Sequence, residues 1–208
     1  MQNFTDRISN PFGMKPPCDR YVSGYGDANA DVHVVGDHPG RHGGVETGVP
    51  FTETVAGERV QAVLESVGLL ESPGDEPIVD SLFMSYLHTC VPDGEPTVAS
   101  YTELERFFDA ELRAITAHVL VPVGERAVRH VLRQFTTYPM EDLDVDAVHA
   151  TEISSGAWLV VPSSEPSEWN DDESVRLVEA LTDVLDRDFA RESDLGRFLT
   201  DPDPYLVR

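Results

Sequence analysis

The segment that most constrains the fold of this chain is DVHVVGDHPGRHGGVETGVPF, at residues 31–51. Its apolar run, residues 32–35, predicts a short buried strand. The strand leads into GDHPG at residues 36–40, where glycine and proline favour a sharp, exposed loop. Ligands of α/β proteins bind at the carboxyl ends of strands, so this loop, with the nearby aromatic Phe51, is a candidate site for a flat, hydrogen-bonding ligand. An ordinary glycine-rich turn is the competing interpretation.

Strand-like and helix-like segments alternate along the rest of the chain. Each further strand ends in a loop, and the strands are predicted at residues 78–89, 118–123 and 157–161. Apolar residues at helical spacing predict helices over residues 58–70, 97–116, 124–135 and 171–189. The alternation predicts an α/β fold, a three-layer α/β/α sandwich around a four-stranded, mostly parallel sheet. Right-handed crossovers then place the loops after the strands at one edge of that sheet.

The chain of 208 residues fits one α/β domain with short extensions. Residues 1–30, rich in proline, glycine and polar side chains, predict an irregular N-terminal arm. The single domain is predicted over residues 31–190, followed by a polar C-terminal tail at residues 191–208. No signal peptide is recognised and no apolar run reaches the roughly 18 residues of a membrane span, so we expect a cytoplasmic protein with no membrane partner. The oligomeric state is left open.

Acidic residues dominate the charge balance, with 38 Asp and Glu against 15 Lys and Arg and a formal net charge of -23. They are interleaved with apolar residues at helical spacing, whereas disordered acidic tails come in blocks. We interpret the composition as halophilic, a surface adapted to a cytoplasm of very high salt. At molar salt the Debye length falls to about 3 Å, so the negative charge does not exclude DNA as a partner.

Four short motifs point to a known family. VVGDHPG at residues 34–40 and GVPF at residues 48–51 resemble a strand followed by Gly-Glu-x-Pro-Gly and then Gly-x-Pro-Phe. Residues 90–92 resemble a Cys-Arg-Pro-Pro segment, and residues 121–124 a Val-x-x-Leu-Gly segment. This set is similar to the uracil-DNA glycosylase superfamily, closest to its bacterial and archaeal iron–sulfur branch. The resemblance covers residues 18–190 and implies the same α/β fold.

The resemblance implies a DNA glycosylase, which flips uracil or a related deaminated base out of the duplex and hydrolyses its N-glycosidic bond. Phe51 would stack on the extruded base, and Asp37 would activate water or stabilise the oxocarbenium-like sugar. A local alternative for Asp37 is a loop residue that caps its own backbone. The implied base-binding residues are Gly36, His38, Pro39, Gly40, Phe51, Tyr86 and His88.

Two positions depart from the family pattern. Tyr86 stands where the family carries an asparagine, and neither it nor Ser85 or His88 offers the paired donor and acceptor of an amide. Glu165 stands at the catalytic position of the family's His-Pro-Ser loop, where a carboxylate would repel a developing oxyanion. These departures favour a second hypothesis, a catalytically impaired member of the fold that binds nucleic acid or protein.

The loop that contains Glu165 is also the predicted DNA contact. The residues implied there are Ser163, Ser164, Pro166, Ser167 and Trp169. Trp169 has two interpretations, an apolar wedge inserted into the duplex or packing against the last helix. A stripe of arginines at helical spacing, Arg126, Arg129 and Arg133, either faces phosphates or pairs with acidic neighbours.

Metal and cofactor sites are not expected. An iron–sulfur cluster needs four cysteines, and only Cys18 and Cys90 are present, so we predict no cofactor and two buried free thiols. His38 and His42 lie four residues apart, but the glycines and proline around them argue against the helix that would let both bind one metal ion. We therefore predict no metal and little effect of substituting His42.

Overall fold

The computed structural model describes residues 9–115, 117–155 and 158–187, so the predicted C-terminal tail at residues 191–208 lies outside the described residues. The strands are β1 (Tyr25–Gly26), β2 (Val32–Gly36), β3 (Leu70–Ser72), β4 (Ile78–Val79), β5 (Leu82–Tyr86), β6 (Val119–Pro122), β7 (Ile153–Ser154) and β8 (Leu159–Val160). The helices are α1 (Pro39–His42), α2 (Val55–Ser66), α3 (Val98–Ile115), α4 (Glu125–Phe135), α5 (Val145–Val148) and α6 (Asp171–Leu185), with a 3-10 turn at Pro166–Glu168.

The main sheet has the strand order β1-β5-β2-β6-β8-β7 within the described residues. Its four central strands are parallel, and in their register Val34 lies opposite Met84 on β5 and Val121 on β6. The predicted α/β fold with a mostly parallel sheet is confirmed. The short strands β1 and β7 are added at the two edges, both antiparallel to their neighbours.

Helices cover both faces of the sheet, which explains why β2, β5 and β6 are buried along their whole length. On one face the apolar side chains of α2 and α6 pack against residues such as Val34 and Val121. On the other face Phe108 and Leu112 of α3 and the apolar side of α4 pack against Val35 and Leu120. The sheet and the helices packed on its two faces form the three predicted layers.

The described part of the N-terminal arm is joined to the domain at several points. Its strand β1 pairs with β5, and the backbone N–H of Val22 donates to the carbonyl of Thr89 at 2.8 Å. Cys18 and Cys90 form a disulfide, with their Cα atoms 6.1 Å apart. The prediction of two buried free thiols is therefore wrong, because the arm runs antiparallel to the segment after β5 and places both partly exposed cysteines together.

The helix ends agree with the sequence within a few residues. Asn170 caps α6 through a capping box with Glu173, as the polar residues before that helix indicate. The acidic connection after α4 contains the short helix α5, which the sequence did not predict. Among the described residues, no helix combines the length and apolar character that crossing a membrane requires.

Glu111 on α3 is buried beneath the N-terminal arm, with 2% of its surface exposed. One carboxylate oxygen accepts from the backbone N–H of Gly24 at 3.3 Å, and the other has no partner within the described residues. Burial raises the pKa of Glu111 from 4.5 to about 7. The folded chain thus keeps this proton where the unfolded chain has lost it, so this group makes stability fall as the pH rises from about 4.5 to 7.

A Glu111→Gln variant is expected to be more stable than the parent at pH 8 by about 1–3 kcal/mol, and to differ less at pH 5. Glutamine keeps the acceptor for Gly24 and removes the buried charge. Urea denaturation in buffered KCl at the two pH values measures the difference. Glu103→Gln, at an exposed position of the same helix, is the matched control, and an equal response of both variants would contradict the prediction.

Candidate active site

The loops after the four parallel strands meet at one edge of the sheet, as the alternation predicts. The Leu87 N–H donates to the carbonyl of Gly36 at 3.0 Å, and the Gly124 N–H donates to the carbonyl of Ser163 at 3.0 Å. A Cβ at position 36 would lie 2.8 Å from the ring of His42. Glycine at the end of β2 therefore makes room for a histidine at the centre of this edge.

His42 is fully buried between these loops. Its Nδ1 accepts from the backbone N–H of Asp37 at 3.0 Å, so its proton is on Nε2, which lies 3.5 Å from a carboxylate oxygen of Glu165. The ring also stacks on Phe51, with centroids 5.6 Å apart and planes inclined by 21°. The expectation that substituting His42 has little effect stays a prediction, and these contacts argue against it. The sequence missed this role because it indicated only a loop where the short helix α1 forms.

The ring of Phe51 has no solvent exposure in this structure. His42 covers it from one side, and the ring of Tyr86 lies 5.3 Å away. The Tyr86 hydroxyl accepts from the Phe51 N–H at 2.7 Å and donates to the carbonyl of Gly43 at 3.0 Å. Base stacking on Phe51 and base recognition by Tyr86 therefore stay predictions, and stacking requires at least one of the groups that cover Phe51 to move.

A Tyr86→Phe variant is expected to lose about 1–3 kcal/mol of stability, because it leaves the Phe51 N–H and the Gly43 carbonyl buried without their partner. Denaturation in urea at constant KCl measures the loss. Tyr138→Phe is the matched control, since the Tyr138 hydroxyl makes no hydrogen bond within the residues that the structure describes. Similar denaturation midpoints for the two variants would count against the prediction.

Glu165 is buried at the same edge, with 8% of its surface exposed. Its Oε2 accepts from Arg41 Nε at 2.5 Å and faces His42, and its Oε1 accepts from the Ser167 hydroxyl at 3.2 Å. Burial by itself would raise the pKa of Glu165, but His42 and the Arg41 guanidinium outweigh it and lower the pKa to about 2. The carboxylate is ionised at neutral pH and compensated by Arg41, which limits the repulsion expected from the sequence.

Asp37 directs its carboxylate to the other side of the edge, toward α3 and α4. The Tyr101 hydroxyl donates to it, and Arg126 Nε lies 3.5 Å away. The Arg126 guanidinium in turn lies over the Tyr101 ring, 4.3 Å from its centroid. Burial first, and then Asp37, raise the pKa of Tyr101, so it stays a neutral donor. The Asp37 carboxylate thus contacts side chains of α3 and α4. It does not cap its own backbone, which was the local alternative that the sequence allowed.

A cavity of about 560 Å³ lies between α3 and α4 and reaches Asp37. Its charged lining near Asp37 comes from Arg41, Glu95 and Arg126, and Leu87 is among its apolar lining residues. The volume falls within the range of small-molecule sites. Of the arginine stripe on α4, Arg126 pairs with Asp37 and Glu95, and Arg129 pairs with Glu125, so both face acidic neighbours.

His38 and His88 lie beside Asp37 with ring centroids 6.5 Å apart. Burial lowers the pKa of both, and His88 Nδ1 lies 3.0 Å from the carbonyl of Cys90. Pro39 is buried within α1 and Gly40 is exposed. No three or more metal-ligating side chains come together within the described ranges. The absence of a metal stays a prediction.

The loop at residues 163–169 is folded inward. Ser163, Ser164 and Pro166 are buried, and only Ser167 of the predicted DNA contacts is exposed. Trp169 is 5% exposed, packs in the core with α6 and donates through its indole N–H to Ser164 Oγ at 3.1 Å. The packing interpretation of Trp169 is confirmed. DNA contact by this loop stays a prediction.

Comparison with known proteins identifies the family of the chain. The sequence model of the uracil DNA glycosylase superfamily matches residues 23–185, which span the whole sheet and the helices around it. The chain belongs to this superfamily. The resemblance predicted from the GDHPG and GVPF motifs is thereby confirmed.

Curated members of the superfamily share about three residues in ten with the chain. The type-5 uracil-DNA glycosylase of Pyrobaculum aerophilum is 30% identical over 176 residues, which cover 81% of this chain and 75% of the relative. That of Thermus thermophilus is 29% identical over 130 residues, 60% of this chain and 59% of the relative. That of Mycobacterium leprae is 30% identical over 130 residues, which cover 59% of this chain and 57% of the relative. The chain thus spans less than two thirds of the latter two relatives.

The iron–sulfur cluster of the related branch does not fit the residues of this superfamily member. The chain has two cysteines, and the structure joins them in a disulfide, so neither sulfur is available as a thiolate ligand. At this edge of the sheet the structure brings Phe51, Tyr86 and Glu165 around His42, with Asp37 facing the cavity on the α3–α4 side.

Proposed function

We propose that the chain is a DNA glycosylase that removes uracil or a related deaminated base from DNA and so acts in base-excision repair. The observation that carries the proposal is the position of Asp37, at the carboxyl end of a central strand and at the wall of a cavity large enough for a nucleotide. Superfamily membership and the names of the curated relatives, type-5 uracil-DNA glycosylases, support the reaction class.

In the proposed reaction an extruded nucleotide enters the cavity with its sugar beside Asp37. The carboxylate accepts a proton from a water molecule, whose oxygen bonds to C1′ while the N-glycosidic bond breaks. The electron pair of that bond leaves with the base. Tyr101 and Arg126 hold the carboxylate in place throughout. The products are an abasic site and a base anion; the anion takes a proton from solvent, and Asp37 releases its acquired proton to solvent and returns to the carboxylate.

The medium for this reaction is molar salt. A net charge of -23 would oppose DNA binding in dilute buffer. In molar KCl the repulsion is screened within about 3 Å. We therefore propose a high-salt cytoplasm as the working environment and DNA as the partner.

The deciding experiment incubates the protein in molar KCl with duplex and single-stranded DNA containing uracil, hypoxanthine or xanthine. Abasic sites are detected as strand breaks after alkali treatment. Excision of at least one base is the expected result. If the folded protein leaves all three bases in place in both DNA forms, the proposal is wrong.

A second candidate function is DNA binding without catalysis. The observation that favours it is the burial of Phe51 under His42, which fills the place where a base was expected to stack. Salt-tolerant binding of DNA without base release would support this candidate. Excision of any of these bases with multiple turnovers per protein molecule would exclude it.

A further inference from the structure

Arg41, His42 and Glu165 form a connected group that the sequence did not single out. The Asp37 N–H donates to His42, the His42 Nε2 proton faces Glu165, and Glu165 accepts from Arg41 Nε at 2.5 Å. Arg41 and Glu165 are 124 residues apart along the chain. Two of its three side chains are buried, so the third, Arg41, is held at a fixed point of the edge.

Arg41 extends from this anchor into the cavity. Its side chain is 42% exposed, and it lines the same cavity wall as Asp37. Glu165 occupies only Nε, and within the described part of the chain the two terminal nitrogens of the guanidinium have no hydrogen bond. These nitrogens can donate to a ligand in the cavity, and Arg41 is charged at every pH at which the protein folds.

We propose that Arg41 is a catalytic residue whose guanidinium stabilises the negative charge on the departing base, with Glu165 and His42 as its positioning residues. This inference rests on the proposed glycosylase function. As the N-glycosidic bond breaks, its electron pair moves onto the base and the charge is spread to the carbonyl oxygens. A fixed cation beside Asp37 lowers the energy of that charge without transferring a proton.

The same arrangement accounts for a carboxylate at position 165. A free carboxylate there would oppose formation of the anion, whereas Glu165, bonded to Arg41 and 3.5 Å from His42 Nε2, directs the positive group into the cavity. Its second oxygen is held by Ser167, which fixes the orientation of the carboxyl plane. Glu165 therefore acts through Arg41 and does not touch the base.

The test compares single-turnover excision of uracil and of 5-fluorouracil, whose fluorine makes the departing anion more stable. Arg41→Ala is expected to slow uracil excision about 10- to 100-fold and to slow 5-fluorouracil excision clearly less. Arg41→Lys should restore part of the rate, and Glu165→Gln should slow uracil excision with unchanged DNA affinity. A purely structural role would change both bases equally.

The exposed pair Arg20 and Glu46, joined at 3.1 Å, supplies the matched controls Arg20→Ala and Glu46→Gln. Both should keep the wild-type rates. The assignment of Arg41 is overturned if Arg41→Ala excises uracil within twofold of the wild-type rate, or if it slows the excision of uracil and of 5-fluorouracil by the same factor. The glycosylase proposal stands in either case.

A second readout does not need turnover. Free 5-fluorouracil is titrated into the protein bound to abasic DNA, below and above the pH at which the base loses its proton, and binding is followed by fluorine NMR. Tighter binding of the anion that is lost in Arg41→Ala supports an anion-binding role of Arg41 even if no base is released, in which case the glycosylase proposal fails and the anion site stands. Equal binding of anion and neutral base in the wild type would refute it.

Discussion

An Asp37→Asn variant is expected to excise bases about 100- to 10,000-fold more slowly than the wild type, the usual loss when a positioned acid–base group is removed. The amide keeps the shape of the side chain and can still accept from the Tyr101 hydroxyl, but it cannot take a proton from water. Folding and DNA affinity should stay near wild type. Single-turnover kinetics in molar KCl, with binding measured separately by fluorescence anisotropy, separates these effects.

Two further variants make this result specific. Tyr101→Phe removes one hydrogen bond to Asp37 and retains the carboxylate, so a loss of only about fivefold is expected. Asp27→Asn changes another buried carboxylate, 5% exposed and bonded to the Asn29 N–H, and should leave excision unchanged. Excision by Asp37→Asn at the wild-type rate would place the catalytic carboxylate elsewhere.

Reduction of the Cys18–Cys90 disulfide is expected to lower the free energy of unfolding by about 4 kcal/mol. The bond closes a loop with a sequence separation of 72 residues, and opening it restores conformational freedom to the unfolded chain. For a chain of this size the melting temperature should fall by about 8–16 °C. Thermal unfolding followed by circular dichroism at fixed KCl concentration, with and without a reductant, measures the shift.

The Cys18→Ser/Cys90→Ser double variant is the control for this experiment. It should melt with the reduced wild type and should not respond to the reductant. A melting temperature of the wild type that is the same with and without reductant would show that the disulfide contributes nothing to stability.

The sheet could be predicted because its information is local. Valine-rich runs such as residues 32–35 end in glycine and proline, and each run is followed by a helix with one apolar face. The edge strands Tyr25–Gly26 and Ile153–Ser154 were missed because two residues carry no periodicity. They form only because β5 and β8 offer backbone groups to pair with.

The candidate site was predictable only in part, because only some of its contacts are local in the sequence. The loop with Asp37 follows a recognisable strand, so its place at the sheet edge could be inferred. The contact between Arg41 and Glu165 joins residues 124 positions apart, and Tyr101 reaches Asp37 across 64 positions. No local pattern signals such pairs. The contacts of His42 with Phe51 and Glu165 carry no local signal either, because its spacing from His38 indicates at most a metal-binding pattern.

The short edge strands of the sheet have a consequence for solubility. In dilute buffer a charge of -23 would keep copies of the chain apart, but at the molar salt that we propose as the working environment this repulsion no longer reaches a neighbour. An open edge of a long, flat strand would then be a template for strand addition between molecules. Among the described residues, the outer strands Tyr25–Gly26 and Ile153–Ser154 are two residues long, and Ser9 already bridges Tyr25, which leaves little backbone for another chain to pair with. The geometry of the sheet edges thus protects against aggregation where charge cannot.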